Sequence, residues 1–164
     1  MSIIDRVSVF CQDNLAMKEK ISFTEERGTL GALLRLPYQR LLVRLYGRLA
    51  ESGFADIRPA HSSVFRNIQP GGSRVTDLAD RAQLTKQSMA YLVTYLEEKG
   101  YVNLSPDPED GRAKLVCLTE RGHAFMDAAL DLSKRIELEL AETMGTAGVE
   151  RLRELLAEAA EAMA

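Results

Sequence analysis

The stretch DLADRAQLTKQSMAYLVTYLEEKGYV, Asp77 to Val102, decides how the rest of the chain is read. It holds two helical patterns separated by a tight turn near Ala82 to Leu84, the order of a helix-turn-helix. The spacing predicts Thr85 as N-cap of the second helix, with Leu84 before it and Met89 inside it as a hydrophobic staple, and Gly100 as its stop. Met89, Leu92, Val93 and Leu96 recur at intervals of three and four and form the stripe expected to pack inward. Lys86, Gln87, Ala90, Tyr91 and Thr94 then point the other way, as a face of small, polar or aromatic groups.

Downstream, Tyr101–Leu104 and Lys114–Leu118 are short β-prone runs flanking SPDPEDGRA, whose prolines, aspartates and glycine are turn residues. The pair predicts a hairpin, and helix-turn-helix followed by hairpin is the element order of a winged helix. Thr119 caps a long amphipathic run to about Thr143, with Glu120 in its first turn where the helix dipole favours an anion. Gly145 and Gly148 punctuate it, and a final helix carries Val149, Leu152, Leu155, Leu156 and Ala159 on one side. Nothing within the chain is obviously left to cover both terminal helices.

Upstream, LPYQRLLVRLYGRLAESGF (Leu36–Phe54) reads as a helix with Pro37 in its first turn, Gly53 just past its end and Leu41, Leu42, Leu45 and Leu49 as its apolar stripe. His61–Ile68 is a short helix closed by QPGG, with Val64, Phe65 and Ile68 as its buried positions. Residues 1–35 form an extension with short helical patterns around Ile3–Phe10 and Asn14–Phe23. The fold class is therefore mainly α with a small β-hairpin wing (α+β).

Composition narrows the function. The chain has 164 residues, 46% of them hydrophobic and 27% charged, which fits one domain with appendages. No apolar run approaches the roughly 20 residues of a membrane span, and the N-terminus carries Asp5 and Arg6 within its apolar portion rather than a secretory pattern. A soluble, cytoplasmic protein with no membrane partner is expected. The two cysteines, Cys11 and Cys117, lie far apart and in no CxxC or Cys/His spacing, so neither a disulfide scaffold nor a metal site is expected. No Ser/His/Asp or Cys/His set, phosphate loop or convergent carboxylate pair occurs at usable spacing, so the reading is not an enzyme and calls for no cofactor.

The net charge of −3 speaks against a nucleic-acid partner until its distribution is considered. Arg35 to Arg81 holds eight arginines against four acids, a net +4, whereas Asp127 to Ala164 holds nine acids against four bases, a net −5. A DNA-binding surface would draw on Arg58, Arg66, Arg74, Lys86, Arg112 and Lys114, with the acids of the last two helices held at a distance.

The wing region DGRAKLVCLTERG meets the pattern Asp-x-Arg-x-x-x-Val-x-Leu-Thr-x-x-Gly at Asp110, Arg112, Val116, Leu118, Thr119 and Gly122. With the helix-turn-helix ahead of it, the chain from about Ile57 to Gly122 resembles the multiple-antibiotic-resistance regulator (MarR) family of bacterial winged-helix transcription factors. The resemblance implies a homodimer in which the first helix and the last two interlock and two winged helices meet double-stranded DNA with an inverted-repeat operator. It divides the chain into the extension (1–35), a first dimerisation helix (36–55), the winged helix-turn-helix (56–118) and C-terminal dimerisation helices (119–164). It also implies a repressor released by a small molecule or by cysteine oxidation.

Carried over by position, the resemblance makes Arg112 the wing-tip arginine of the minor groove and Asp110 the residue that braces the wing. It places Thr85, Lys86, Gln87 and Ser88 at the base-reading end of the recognition helix. Tyr91 and Tyr95 stand where relatives frequently carry arginine. The DNA-binding set is then Arg74, Thr85, Lys86, Gln87, Ser88, Tyr91, Arg112 and Lys114. Asp107 and Glu109 are expected to limit indiscriminate attraction to phosphate. Tyr91 has a second reading, packing on the hairpin.

Leu34, Tyr38, His61, Phe65 and Phe125 are candidates for the wall of a pocket taking a small aromatic or lipophilic effector, with plain core residues as the alternative. Cys11 is the redox candidate, while alternation along the strand sets Cys117 on the face opposite Val116 and Leu118. Two other functions stay open: a winged-helix protein-interaction module without DNA binding, and a thiol-based redox-sensing regulator.

Overall fold

A computed structural model describes residues 28–164. Cys11 and the two short N-terminal helical patterns lie outside the described residues. The chain divides into two compact units, residues 1–40 and 41–164.

The first described helix, α1 (Leu30–Leu49), begins six residues before the start expected from Leu36, so Pro37 lies inside it rather than in its first turn. A proline there removes the hydrogen bond that the Leu33 carbonyl would accept. Leu33 is exposed, so water can take that place. The helix runs into a wide turn, Ala50–Phe54, where Gly53 adopts φ 95° and ends it as expected.

In the second unit a single 3-10 turn, Pro59–His61, leads into α2 (Ser62–Phe65), which is shorter than the predicted His61–Ile68 helix. Val64 and Phe65 are buried and Ile68 is half-buried. A two-residue strand, β1 (Ser73–Arg74), follows QPGG. The helix-turn-helix is α3 (Val75–Arg81) and α4 (Lys86–Glu98), with Gln83 at φ 53° in the turn. The hairpin is β2 (Val102–Pro106) and β3 (Lys114–Leu118), and α5 (Glu120–Met144) and α6 (Thr146–Ala162) complete the chain.

The sheet has the order β1-β3-β2, all antiparallel, with Ser73 opposite Val116 and Leu104 on the other side of the same residue. Two residues are too short for a hydrophobic period, so β1 left no pattern in the sequence. Gly72, at φ 102°, makes the approach possible, because a Cβ there would stand 2.7 Å from Cys117 Sγ.

Helix α4 buries Met89, Val93 and Leu96 with Leu92 partly covered, as its periodicity predicts. With Leu49, Val64, Leu78, Val102 and Val116 they form the core of the second unit, each contributing about 1.5–3 kcal/mol by leaving water. Thr85 caps α4 by accepting from Ser88 N at 3.1 Å. Thr119 caps α5 by accepting from Gly122 N at 3.1 Å while its hydroxyl donates to the Gly100 carbonyl at 2.6 Å. Gly145, at φ 77°, breaks α5 from α6, but Gly148 lies within the first turn of α6 and punctuates nothing.

Beneath α4, the His61 ring stacks on Tyr95 with centroids 4.6 Å apart, and its Nδ1 accepts the Arg58 backbone N–H at 3.1 Å. That bond requires an unprotonated Nδ1. Burial, followed by the neighbouring Arg58 charge, holds the His61 pKa below its ordinary 6.5.

Two measurements check this packing. A Cβ on Gly122 would sit 2.2 Å from the Tyr101 carbonyl oxygen, so Gly122→Ala is expected to lower unfolding free energy by about 3 kcal/mol in urea titration. An unchanged midpoint would refute that contact. His61, neutral in the folded chain, contributes stability that is present above pH 6.5 and lost as pH falls through its depressed folded value. His61→Gln is expected to flatten the decline in melting temperature between about pH 6.5 and pH 5, and an equal decline in both proteins would exclude this linkage.

Candidate nucleic-acid interface

The exposed face of α4 begins with Thr85, Lys86, Gln87 and Ser88, and Tyr91 follows one turn on at 73% exposure. Such exposure leaves Tyr91 unpacked on the hairpin, against the second reading of that residue. The hydroxyls of Thr85 and Ser88 lie 2.8 Å apart and bond each other. Lys86, Gln87 and Tyr91 therefore present side-chain polar groups on this face that no bond among the described residues engages. Tyr95 does not belong to it: its hydroxyl donates to the Asp56 carbonyl at 2.8 Å and its ring stacks on His61. Its phenol is thus unavailable for the phosphate contact its position suggested.

Beside α4, a shallow groove of ≈ 680 Å³ runs between its first turns and the Pro59–Phe65 segment, lined by Ser62, Ser63, Arg66, Gln87, Ser88 and Tyr91 among others. The Arg66 guanidinium reaches Ser62 Oγ at 3.4 Å and carries no ion pair among the described residues. Ser62 and Ser63 line this groove as well, although the sequence did not single them out. Their hydroxyls bond the Pro59 and Ala60 carbonyls, and a serine pair after a proline carries only a helix-start signal in sequence.

At the wing, Arg112 and Lys114 are exposed, and neither side chain has an ion-pair partner among the described residues. Asp110 Oδ1 accepts the Arg112 backbone N–H at 3.1 Å. It braces the loop rather than the guanidinium, leaving the side chain to project.

Asp107 differs from the expectation of an exposed screening charge. It is 7% exposed, and its Oδ2 accepts from Arg74 Nε at 2.7 Å and lies 2.6 Å from Arg74 Nη2. Its Oδ1 accepts the Glu109 N–H at 2.9 Å. The Glu109 N–H, then Arg74, hold this carboxyl below its ordinary range, and the Asp107 hydrogen bond raises the Arg74 guanidinium in turn. Arg74 is thereby engaged within the protein.

Three of the effector-pocket candidates, His61, Phe65 and Phe125, are buried in the second unit. Phe65 and Phe125 meet ring to ring at 4.5 Å within the core, and His61 is committed to Tyr95 and Arg58. Leu34 and Tyr38, on the N-terminal half of α1, are exposed. Cys117 is half-buried with Sγ 3.8 Å from the Gly71 carbonyl, on the strand face opposite buried Val116. No group of three or more metal-ligating side chains occurs among the described residues, and no described helix is long and apolar enough to cross a membrane.

Comparison with known proteins gives this geometry a context. A family model described as MarR family matches residues 55–113, which cover α2 through the wing tip. The HTH-type transcriptional repressor NicR of Pseudomonas putida is 29% identical over 107 residues, 65% of this chain and 66% of that relative. The transcriptional regulator HosA of Escherichia coli O111:H- is 30% identical over 86 residues, 51% of this chain and 63% of the relative. The matched stretches thus span just under two thirds of these relatives' lengths. Among solved structures, the reduced form of MarR from E. coli superposes with a TM-score of 0.69 at 25% identity, covering 80% of this chain and 96% of that one. The transcriptional repressor CouR, bound to a 23-mer DNA duplex, superposes with a TM-score of 0.67 at 24% identity, covering 86% and 99%. The helix-turn-helix, the wing and these relatives agree, and over residues 55–113 the chain is similar to the MarR family.

Proposed function

We propose that this protein is a sequence-specific DNA-binding transcriptional repressor that acts as a homodimer on an inverted-repeat operator. The observation that carries the reading is a recognition-helix start with Lys86, Gln87 and Tyr91 unengaged among the described residues, together with a wing whose tip arginine is bonded there through its backbone alone. Base edges are read by side chains such as lysine and glutamine at the N-terminal end of a recognition helix, whereas phosphates are held by hydroxyls and cations. The groove beside α4 supplies the second kind through Arg66.

Surface left uncovered supports the dimer. Leu138, Met144, Leu155 and Leu156 on α5 and α6 are exposed at 69, 47, 46 and 43%, and apolar area of this kind marks an association surface. A two-fold dimer sets its recognition helices about 34 Å apart, one duplex turn, so spacing adds to specificity. Release by a small aromatic or lipophilic effector belongs to the same reading, resting on the family resemblance.

Mobility-shift titration against the protein's own promoter region, at two salt concentrations, tests the reading. Specific retardation is expected, with Arg112→Ala losing about tenfold or more in affinity; absence of specific retardation, or an unchanged Arg112→Ala protein, refutes it. Leu155→Lys is expected to shift the sedimenting species from dimer to monomer and to weaken operator binding, and a wild-type monomer would overturn the dimer.

A further inference from the structure

The wing loop is bonded to itself and then to a single guanidinium outside it. Within the loop, Asp107 N–H donates to the Ala113 carbonyl at 3.0 Å, Ala113 N–H to the Asp110 carbonyl at 2.8 Å and Asp110 N–H to the Asp107 carbonyl at 3.3 Å. The Asp107 carboxylate holds the Glu109 N–H, and the Asp110 carboxylate holds the Arg112 N–H. Arg74 grips this loop from β1: Nε and Nη2 both reach Asp107 Oδ2, and Nη2 lies 3.8 Å from Asp110 Oδ2. Arg74 is also the N-cap residue of α3, the first helix of the helix-turn-helix. One side chain therefore joins the start of the helix-turn-helix to the loop that presents Arg112, 38 residues further along the chain.

We infer that Arg74 is a positioning residue that sets the presentation of Arg112 and does not itself neutralise a phosphate; the inference rests on the DNA-binding reading above. A guanidinium carrying a buried carboxylate at 2.6 Å, with a second one close by, offers little net positive charge to a duplex. A planar fork gripping one carboxylate does fix direction, as a point charge on a flexible stem does not. The loop cannot tilt about β2 and β3 without breaking that grip or pulling on the residue from which α3 starts.

Charge counting and positioning predict opposite results. If Arg74 were a phosphate contact, Arg74→Ala would lower the slope of log affinity against log salt by about 0.9, and its loss would add to that of Arg112→Ala to within about twofold. If it positions Arg112, Arg74→Ala weakens operator binding, while the double variant Arg74→Ala/Arg112→Ala is no weaker than Arg112→Ala alone. Asp107→Asn separates the two further, because it removes a negative charge yet is expected to weaken binding through loss of the grip. Arg74→Lys, which keeps the charge but not the fork, is expected to behave as Arg74→Ala does.

The experiment is operator titration of the full-length wild type and these variants across a salt series, with circular dichroism melts confirming that each variant is folded. Non-additive losses for Arg74 and Arg112 together with weaker binding by Asp107→Asn support the inference. Additive losses, or tighter binding by Asp107→Asn, overturn it while leaving the DNA-binding reading intact. A wild type that binds no DNA specifically, or an Arg112→Ala protein that binds as well as wild type, overturns both.

Discussion

Tyr101 is fully buried, and the second unit closes around it. Its ring faces Phe54, Phe65 and Phe125 at 6.3, 6.1 and 5.9 Å, and its hydroxyl donates to Asp56 Oδ1 at 2.6 Å. A phenol taken out of water costs free energy unless its hydroxyl is bonded, so Asp56 is required where it is. Arg121 completes the set by donating to Asp56 Oδ2, to the Tyr101 oxygen and to the Lys99 carbonyl, with its guanidinium 4.4 Å from the ring centroid. Burial and the Asp56 bond push the Tyr101 pKa to about 12, so the donor stays protonated at any physiological pH. The segment before α2, the end of α4, the start of β2 and the start of α5 all contribute to this one cluster. Recognition helix and wing take their relative orientation from it.

The regional charge of the sequence overstates what DNA would meet. Of the arginines in the basic stretch, Arg48 is held by Glu139, Arg74 by Asp107 and Arg81 by the Asn67 carbonyl and Ser73. In the acidic tail, Arg153 is bound by Glu137 and Glu150 and Arg151 by Glu154, so its acids outnumber its cations with little to offset them. Arg58, Arg66, Lys86, Arg112 and Lys114 carry no ion pair among the described residues. An acidic chain reserves cations in this way by placement and not by number.

The parts legible in sequence were those with a long period or a tight local rule. The α4 stripe, both threonine caps, the hairpin and the break at Gly145 each depend on residues within a few positions of one another. What escaped depends on distant partners. Pro37 looked like a helix start because its missing N–H is harmless there, yet the helix extends past it. Tyr95 and Tyr91 sit four apart with the same side chain, but the former is claimed by Asp56 and His61, which lie more than thirty residues upstream. Phe65 and Phe125 read as core residues or as a pocket wall, and their contact across sixty residues of sequence left no local pattern. Asp107 looked like one more surface acid because its arginine partner lies 33 residues away in a strand two residues long.

A surface with few uncommitted cations has a consequence for selection. Non-specific affinity for duplex comes almost wholly from neutralised phosphates, so on the DNA-binding reading proposed above a chain that ties up three arginines internally would bind random DNA less tightly than its local charge of +4 suggests. Specific affinity loses less, because it also draws on base contacts, groove fit and half-site spacing. Using arginines to hold the frame therefore widens the gap between right and wrong sites, provided that frame keeps the remaining contacts in register. The two tyrosines act in the same direction: Tyr95 stiffens the packing beneath the recognition helix, and Tyr91 presents an uncharged hydroxyl and ring instead of a cation that would attract any phosphate. On this argument the acidic balance of the chain and its use of arginine as internal mortar are one design, in which geometry rather than charge carries discrimination.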